Sequence, residues 1–109
     1  LRELGKSKEA EKSYRKAIKL NPDFAEAHSN LGNILRELGK SKDAELSYCK
    51  AIELKPDFAK THYKLSILYT EKNDYKKAYK EINLAIKYDS KNHIYQGELN
   101  RLKFKIHHR

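Results

Sequence analysis

The sequence contains few of the residues that interrupt helices or cross-link chains. Its 109 residues include four glycines, two prolines and one cysteine, and it has neither methionine nor tryptophan. Because Cys49 stands alone, no intrachain disulfide can form, and a single thiol fits a reducing compartment. No apolar run approaches the ~20 residues of a transmembrane helix, and no signal-peptide core is found. These absences favour a helical, cytoplasmic protein without a membrane span.

Charge is plentiful where apolar runs are scarce. Asp, Glu, Lys and Arg make up 36% of the chain, and the excess of basic residues gives a net charge of +9. Such a surface attracts acidic partners and speeds their association. Two interpretations stay open at this point: a solvated helix surface, or a site for a polyanion such as a nucleic acid.

The sequence repeats itself after 34 residues. Residues 1–25 align with residues 35–59, and twenty of the twenty-five positions are identical. A third, more diverged copy covers residues 59–92. A period of this length is typical of stacked helical hairpins, in which each unit packs only on its neighbours.

The three copies predict an all-α domain. Apolar residues recur three and four positions apart, which is the spacing of one helix face. The predicted helices cover residues 7–20, 25–38, 42–54, 59–72, 74–88 and 92–108.

These helices divide the chain into repeats. Leu1–Leu4 matches Leu35–Leu38, the end of a first helix, so the chain is expected to begin inside a repeat. The predicted parts are a truncated repeat that keeps mainly its second helix (1–24), two full repeats (25–58 and 59–91) and a capping helix (92–108).

Glycine marks the predicted turns within the helix pairs. Gly39 stands where a helix end needs a left-handed residue, and Asn73 replaces it in the third copy because asparagine tolerates that conformation. Residues 5–7 repeat the motif in the first copy and are predicted to turn likewise. Ser41 is the expected N-cap of the next helix, since its hydroxyl can accept from a free backbone N–H.

Small residues are found where two helices must approach closely. Ala44 and Ala51 flank Tyr48 on the second helix of the complete copy, and Tyr48 is expected to fill the space between them. Gly32 is the predicted small residue of the first helix.

The tail is predicted to be an amphipathic capping helix. Tyr95, Leu99, Leu102 and Ile106 follow one another at spacings of four, three and four. A buried stripe with a polar outer face would cover the last repeat and keep the array soluble.

The complete copy resembles the tetratricopeptide repeat. That family's pattern has an early aromatic residue, Leu-Gly and a large residue on the first helix, then Ala, an aromatic, Ala and Pro. The complete copy has His28, Leu31, Gly32, Leu35, Ala44, Tyr48, Ala51 and Pro56, and the third copy has His62, Leu65, Ser66, Tyr69, Ala78, Ile82, Ala85 and Ser90. The truncated copy keeps Ala10, Tyr14, Ala17 and Pro22. The departures are the two histidines at the early aromatic position and Ser90 in place of proline.

The resemblance implies a right-handed α-solenoid of antiparallel helix pairs whose first helices line a concave groove. Members of the family mostly bind peptides or extended protein segments there, as scaffolds without catalysis. The exposed side of these helices is predicted to hold Glu26, Ser29, Asn30, Asn33 and Glu37, with Lys60, Tyr63, Lys64, Ile67 and Glu71 as their counterparts. The candidate ligand contacts are Asn30, Asn33, Lys60, Tyr63, Lys64 and Ile67.

Asn30, Lys60 and Lys64 resemble part of the carboxylate clamp of co-chaperone repeats. An asparagine amide can bond to a peptide backbone as donor and acceptor, and lysines four apart on a helix can face one anion. The partner is thus expected to be a protein or peptide segment, with an acidic group or a C-terminal carboxylate. The clamp also needs a lysine and an asparagine from the first helix of the first repeat, which this chain lacks, so another peptide site and a spacer array stay open as alternatives.

No catalytic, cofactor or metal chemistry is predicted. The Gly-Lys-Ser at residues 39–41 looks like the end of a phosphate-binding loop, but Ile34 stands where that motif needs glycine. Cys49 corresponds to Arg15 in the first copy, which indicates an outward, tolerant position. The histidines lack cysteine or carboxylate partners at the spacing of metal ligands.

Two further binding hypotheses concern the ends of the chain. A polyanion could bind the basic residues of the tail, Arg101, Lys103, Lys105, His107, His108 and Arg109, with Phe104 and Tyr95 available to stack bases. The first helix would expose Tyr14 on an unpaired side, which predicts association with upstream repeats or with a second copy.

Overall fold

In a computed structural model, residues 2–108 form six α-helices and no strand, and the side chains of residues 5–108 are described. The helices are α1 (Arg2–Leu20), α2 (Ala25–Glu37), α3 (Ser41–Leu54), α4 (Ala59–Glu71), α5 (Tyr75–Tyr88) and α6 (His93–His107). They fall into two compact units: unit 1 is Leu1–Pro56, with α1 to α3, and unit 2 is Asp57–Arg109, with α4 to α6. The predicted all-α class is confirmed. Over this described range, no helix combines the length and the apolar character needed to cross a membrane.

Unit 1 is built around the pair α2 and α3, with α1 packed against α2. An ion pair ties α1 to the residue before α3: the Glu11 carboxylate lies 2.9 Å from Nε of Arg15 and 3.5 Å from Nζ of Lys40. The hydrogen bond from Arg15 and the charges of Lys40 and Arg15 lower the pKa of Glu11, although burial opposes the shift. The core of the unit consists of Ala27, Leu31, Leu35, Ala44, Tyr48 and Ala51.

A close approach joins Gly32 on α2 to Tyr48 on α3. A Cβ atom added at Gly32 would lie 2.6 Å from Cδ1 and Cε1 of Tyr48, a distance that real side chains do not adopt. Tyr48 is completely buried, and its hydroxyl donates a hydrogen bond of 2.5 Å to Oδ1 of Asn33. The predicted roles of Gly32 as the small residue and of Tyr48 as the filler are confirmed.

In unit 2, Ser66 on α4 and Ile82 on α5 occupy the equivalent positions. Ser66 is fully buried, and its hydroxyl donates to the carbonyl oxygen of Tyr63 at 2.6 Å. A short side chain that bonds to its own helix can stand in a buried contact without an unsatisfied donor. Ile82 is fully buried as well and brings no hydroxyl.

The two predicted left-handed turns are confirmed. Gly39 has a φ of 79° and Asn73 has a φ of 62°. After each of them a backbone N–H returns to the preceding helix, from Lys40 to the carbonyl of Leu35 and from Asp74 to that of Tyr69, both at 2.8 Å. These bonds satisfy carbonyl groups that the helix ends would otherwise leave open.

Helix α1 continues through residues 5–7, so the turn predicted there is wrong. Among the described residues, Gly39 is the only glycine with a positive φ, and a Cβ at Gly5 would meet open space. Glycine permits a left-handed turn without forcing it. At Gly39 the packing of α2 on α3 holds the turn. At Gly5 the helix continues, and each added residue brings another backbone hydrogen bond.

The predicted N-cap at Ser41 is also wrong by one residue. Ser41 is the first residue of α3, and Lys40 precedes it with φ −93° and ψ 65° and no side-chain cap. The turn at Gly39 already brings residue 40 to the cap position, so helical geometry starts at the serine. Side-chain caps occur in unit 2 instead, where Asp74 accepts from the N–H of Lys77 and Asn92 accepts from that of Ile94.

Helix α6 packs against α5, as expected of a capping helix. Tyr95, Leu99 and Leu102 are buried, and Ile106 is half-buried. Its outer face is less polar than predicted, because Ile94 and Phe104 are each 63% exposed. The spacing that identified the buried stripe carries no information about apolar residues outside it.

The histidine at the early aromatic position of unit 2 is accommodated by a carboxylate. His62 is 4% exposed, and its Nδ1 lies 2.8 Å from Oε1 of Glu81. Its ring stacks on that of Tyr88, with the centroids 5.7 Å apart. In unit 1 the equivalent His28 is half-buried, and its Nε2 lies 2.9 Å from the carbonyl oxygen of Pro22. Both histidines therefore occupy packing positions, as predicted.

Replacing Gly32 with alanine should destabilise the chain although alanine is the better helix former. The added methyl group must displace the ring of Tyr48, and overpacking of this kind costs about 1–3 kcal/mol. The higher helix propensity of alanine offsets about 1 kcal/mol of this loss in the free energy of unfolding. The free energy of unfolding, measured by urea denaturation, should fall.

Gly97→Ala is the matched control, since a Cβ there meets nothing within 4 Å. That change should raise the free energy of unfolding by up to about 1 kcal/mol, from helix propensity alone. Equal effects of the two substitutions would contradict the close contact at Gly32.

Candidate functional site

The six predicted contact residues are divided between the two units. Asn30 and Asn33 lie on α2 of unit 1, and Lys60, Tyr63, Lys64 and Ile67 lie on α4 of unit 2. The four residues on α4 are spaced three, one and three apart, so they share one face of that helix. We call this set of four the α4 face.

An aromatic contact fixes the centre of the α4 face. The ring of Tyr63 packs on the ring of Tyr95 from α6, with centroids 4.9 Å apart and planes inclined by 34°. The ammonium group of Lys64 lies 5.8 Å from the centroid of the Tyr63 ring, within reach of a cation–π attraction. Lys60, one turn earlier, is exposed to solvent. The face therefore combines a held aromatic ring with two lysines.

A cleft of about 240 Å³ between α4 and α6 adjoins this face. Tyr63 and Ile67 belong to both. The lining residues are Tyr63, Ile67, Thr70 and Glu71 from α4, and Glu98, Arg101 and Lys105 from α6. We call it the α4–α6 cleft; it joins apolar surface to two carboxylates and two basic groups.

The charges of the α4–α6 cleft are partly paired. Glu98 is 8% exposed, and its Oε1 lies 3.4 Å from Nη1 of Arg101. An arginine one turn away on the same helix compensates a carboxylate that burial would otherwise disfavour. The cleft is thus close to neutral, whereas Lys60 and Lys64 give the other end of the α4 face a positive charge.

In unit 1, Asn33 has a structural partner. Its side-chain oxygen accepts the hydrogen bond from the buried hydroxyl of Tyr48. The equivalent positions in the next copy are Ile67 and Ile82, so the amide and the hydroxyl have been replaced together by apolar side chains. The oxygen of Asn33 is thus engaged, whereas its amide nitrogen remains available to contact a ligand. Asn30 is half-buried on the same helix.

One residue predicted for the exposed side of α2 is misplaced. Ser29 is 4% exposed and belongs to the buried side of the helix. Its position between Glu26 and Asn30 in the sequence predicts exposure to solvent. However, α1 and α3 both pack against α2, which leaves a narrower exposed face. Glu26 and Glu37 are exposed as predicted, and Glu37 accepts a hydrogen bond from the hydroxyl of Ser7.

The family models agree with this architecture. A model described as TPR repeat matches residues 1–39, and two described as tetratricopeptide repeat match residues 25–58 and 59–92. The chain belongs to the tetratricopeptide repeat family. No curated protein sequence matches it.

Solved structures share the tetratricopeptide fold of this chain. The first TPR of Spaghetti (RPAP3), bound to the HSP90 peptide SRMEEVD, is 20% identical with a TM-score of 0.88, and the match covers 94% of this chain and 81% of that one. The Yersinia enterocolitica type III secretion translocator chaperone SycD is 16% identical with a TM-score of 0.87, covering 94% and 76%. At these identities the similarity shows the fold alone, an all-α solenoid of tetratricopeptide type.

Sequence reasoning missed the contribution of α6 to the α4–α6 cleft. The sequence predicts Arg101 and Lys105 as part of a basic tail, and it predicts no role for Glu98. A signal was present: Glu98 lies within the apolar stripe formed by Tyr95, Leu99 and Leu102, where an acidic residue needs a compensating partner. Arg101, three positions later, is that partner.

The basic residues of the tail do not share one surface. Arg101 and Lys105 line the α4–α6 cleft, whereas Lys103 and His107 line a different cleft against α5. Tyr95 is buried and so is not open to stack a base. One face of Phe104 is covered by His108, with ring centroids 4.0 Å apart. The predicted residue Arg109 lies outside the described part of the chain.

The residues considered for catalysis and metal binding are not gathered into a site. Cys49 is exposed, as predicted. Within residues 2–108, no three His, Cys, Asp or Glu side chains are arranged so that they could hold a metal ion.

Tyr95→Phe should make the chain less sensitive to alkaline pH. Burial, with smaller contributions from the Asp89 carboxylate and the Tyr63 phenol, raises the pKa of Tyr95. Stability is therefore lost as the pH rises from the ordinary tyrosine pKa of about 10 through the higher folded value, because the unfolded chain ionises first. Urea unfolding near pH 7 and near pH 11 should show a smaller loss of unfolding free energy in the variant.

Tyr79→Phe, which removes a more exposed hydroxyl, is the control for this comparison. If the wild type and Tyr95→Phe lost the same free energy at alkaline pH, the burial of Tyr95 against Tyr63 would be contradicted.

Proposed function

We propose that this chain is a non-catalytic interaction module that binds a peptide or an extended protein segment, with the α4 face as its principal contact surface in unit 2. The observation that carries the proposal is the combination of a held aromatic ring, two lysines and an adjoining cleft on one helix face. Such a mixture of apolar floor and few charged groups is typical of ligand sites.

Each residue of the α4 face has a distinct role in this proposal. Lys60 and Lys64 attract an acidic side chain or a C-terminal carboxylate. Tyr63 offers a ring whose orientation is already fixed by Tyr95, so little side-chain entropy is lost on binding. Ile67 provides apolar contact where the face meets the α4–α6 cleft.

The structural relatives support a protein or peptide partner. The TPR domain of Spaghetti (RPAP3) was solved with an HSP90 peptide whose sequence, SRMEEVD, is rich in acidic residues. SycD is a chaperone of a secretion translocator. A ligand of the same acidic character suits Lys60 and Lys64. The proposed contacts of unit 1 are Asn30, through its whole amide group, and Asn33, through its nitrogen.

Two further parts of this proposal concern setting and assembly. We place the protein in the cytoplasm because its single thiol fits a reducing compartment. Self-association is proposed through α1, on which Tyr14 is half-buried and Leu20 is 78% exposed. Sedimentation at high concentration tests this, since a purely monomeric chain would contradict it.

Charge reversal on the α4 face should weaken peptide binding. With the heptapeptide SRMEEVD as probe, Lys60→Glu and Lys64→Glu should each raise the dissociation constant about tenfold or more, equivalent to about 1.4 kcal/mol. Amide chemical shifts should change at Lys60, Tyr63 and Lys64. Titration at about 0.05 M and about 0.2 M salt separates residue-specific contacts from general attraction to a basic chain.

Lys80→Glu is the matched control, because it makes the same charge change at an exposed position on α5. Equal weakening by the control and the two α4 variants would indicate non-specific attraction. Absence of shifts on α4 would contradict the α4 face and favour a spacer array.

A further inference from the structure

A second cleft lies between α5 and α6, on residues that the proposed function does not use. It has a volume of about 460 Å³ and is lined by Lys76, Tyr79, Lys103, Ile106 and His107. Lys76 and Tyr79 are spaced three apart on α5, and Lys103, Ile106 and His107 are spaced three and one apart on α6. Each helix therefore presents one face to this α5–α6 cleft.

The floor of the α5–α6 cleft is apolar. Tyr79 is 39% exposed, and Ile106 is half-buried. The cleft volume is within the range of about 300–1,000 Å³ found for ligand sites. Burying this floor under an apolar group would remove both surfaces from water, which favours association.

The rim of the α5–α6 cleft is basic. No acidic residue lines it, and the ammonium groups of Lys76 and Lys103 have no ion-pair partner within residues 5–108. His107 adds an imidazole ring, which can donate a hydrogen bond to a carboxylate. The α4–α6 cleft differs in this respect, because Glu71 and Glu98 line it. The two clefts of unit 2 therefore differ in charge although both involve α6.

We propose that the α5–α6 cleft docks an acidic segment of a partner protein, in which one aromatic or aliphatic side chain is flanked by carboxylates. The apolar side chain packs on Tyr79 and Ile106. The flanking carboxylates pair with Lys76 on one side and with Lys103 and His107 on the other. This site is independent of the α4 face.

The arrangement of the charges selects a protein segment over a small anion. Lys76 belongs to α5, and Lys103 belongs to α6, so the basic groups stand on both sides of the apolar floor. A ligand with a single carboxylate, such as a fatty acid, leaves one side uncompensated. A chain with acidic residues before and after an apolar one compensates both. The net charge of +9 adds a long-range attraction for such a segment.

The test uses two blocked pentapeptides and the whole chain. The acidic probe is acetyl-Glu-Asp-Phe-Asp-Glu-amide, and the neutral probe replaces its acids with Gln and Asn. In NMR titrations, the acidic probe should shift the signals of Tyr79 and Ile106. The dissociation constant of the neutral probe should be higher by about tenfold or more. Decanoate, titrated alone, represents the small anion.

Charge-reversal variants locate the site. Lys76→Glu and Lys103→Glu should each raise the dissociation constant of the acidic probe, measured from the signals of Tyr79 and Ile106, about tenfold. If charge reversal disturbs folding, Lys76→Gln provides a milder change at the same position. Lys42→Glu, which makes the same charge change at an exposed position of α3 in unit 1, is the control.

The double variant Lys60→Glu/Lys64→Glu separates this site from the α4 face. It should leave the shifts at Tyr79 and Ile106 unchanged even if peptide binding on α4 is lost. The proposal is overturned if the two peptides bind equally, if decanoate binds more tightly than the acidic peptide, or if no shift reaches Tyr79 and Ile106.

Discussion

The helix pair α2 and α3 depends on a close contact between a small residue of its first helix and a large residue of its second. In unit 1, Gly32 lets the ring of Tyr48 lie directly on the backbone of α2, and the buried hydroxyl then needs an acceptor. Asn33, the next residue on α2, supplies it. In unit 2 the large residue is Ile82, which needs no acceptor, and the position equivalent to Asn33 is Ile67. The large residue buried on the second helix thus determines whether the first helix carries a polar or an apolar residue at the position of Asn33 and Ile67.

This dependence explains which parts of the fold could be predicted from sequence. The period, the helix pairs and the turns at Gly39 and Asn73 follow from local rules that the packing reinforces. Gly5 shows where such rules stop, because the same residues that turn at positions 39–41 remain helical at positions 5–7. At Gly39 the packing of α2 on α3 supports the turn, and such packing is not encoded in the local motif.

The candidate site was predicted less completely than the fold. Spacing places four of the predicted contact residues on one face of α4, because a helix has a fixed periodicity. It could not show that the ring of Tyr63 is held by Tyr95 or that α6 supplies half of the adjoining cleft. Both facts depend on how a third helix packs in unit 2. Asn33 illustrates the opposite error: a side chain that looked available for a ligand gives its oxygen to Tyr48.

The electrostatic difference between the two clefts of unit 2 depends on how charge is distributed on α6, and the net charge of the chain does not determine it. The basic residues of α6 alternate between two faces, so neither face carries the whole positive charge of the tail. Glu98 makes the two faces different, because it lies beside Arg101 in one cleft and has no counterpart in the other. A carboxylate in this position lowers the attraction for anions mainly on its own side, because it is nearer to that side and because solvent and salt weaken its field with distance. Glu98, together with Glu71 of α4, therefore gives the α4–α6 cleft a different charge from the α5–α6 cleft.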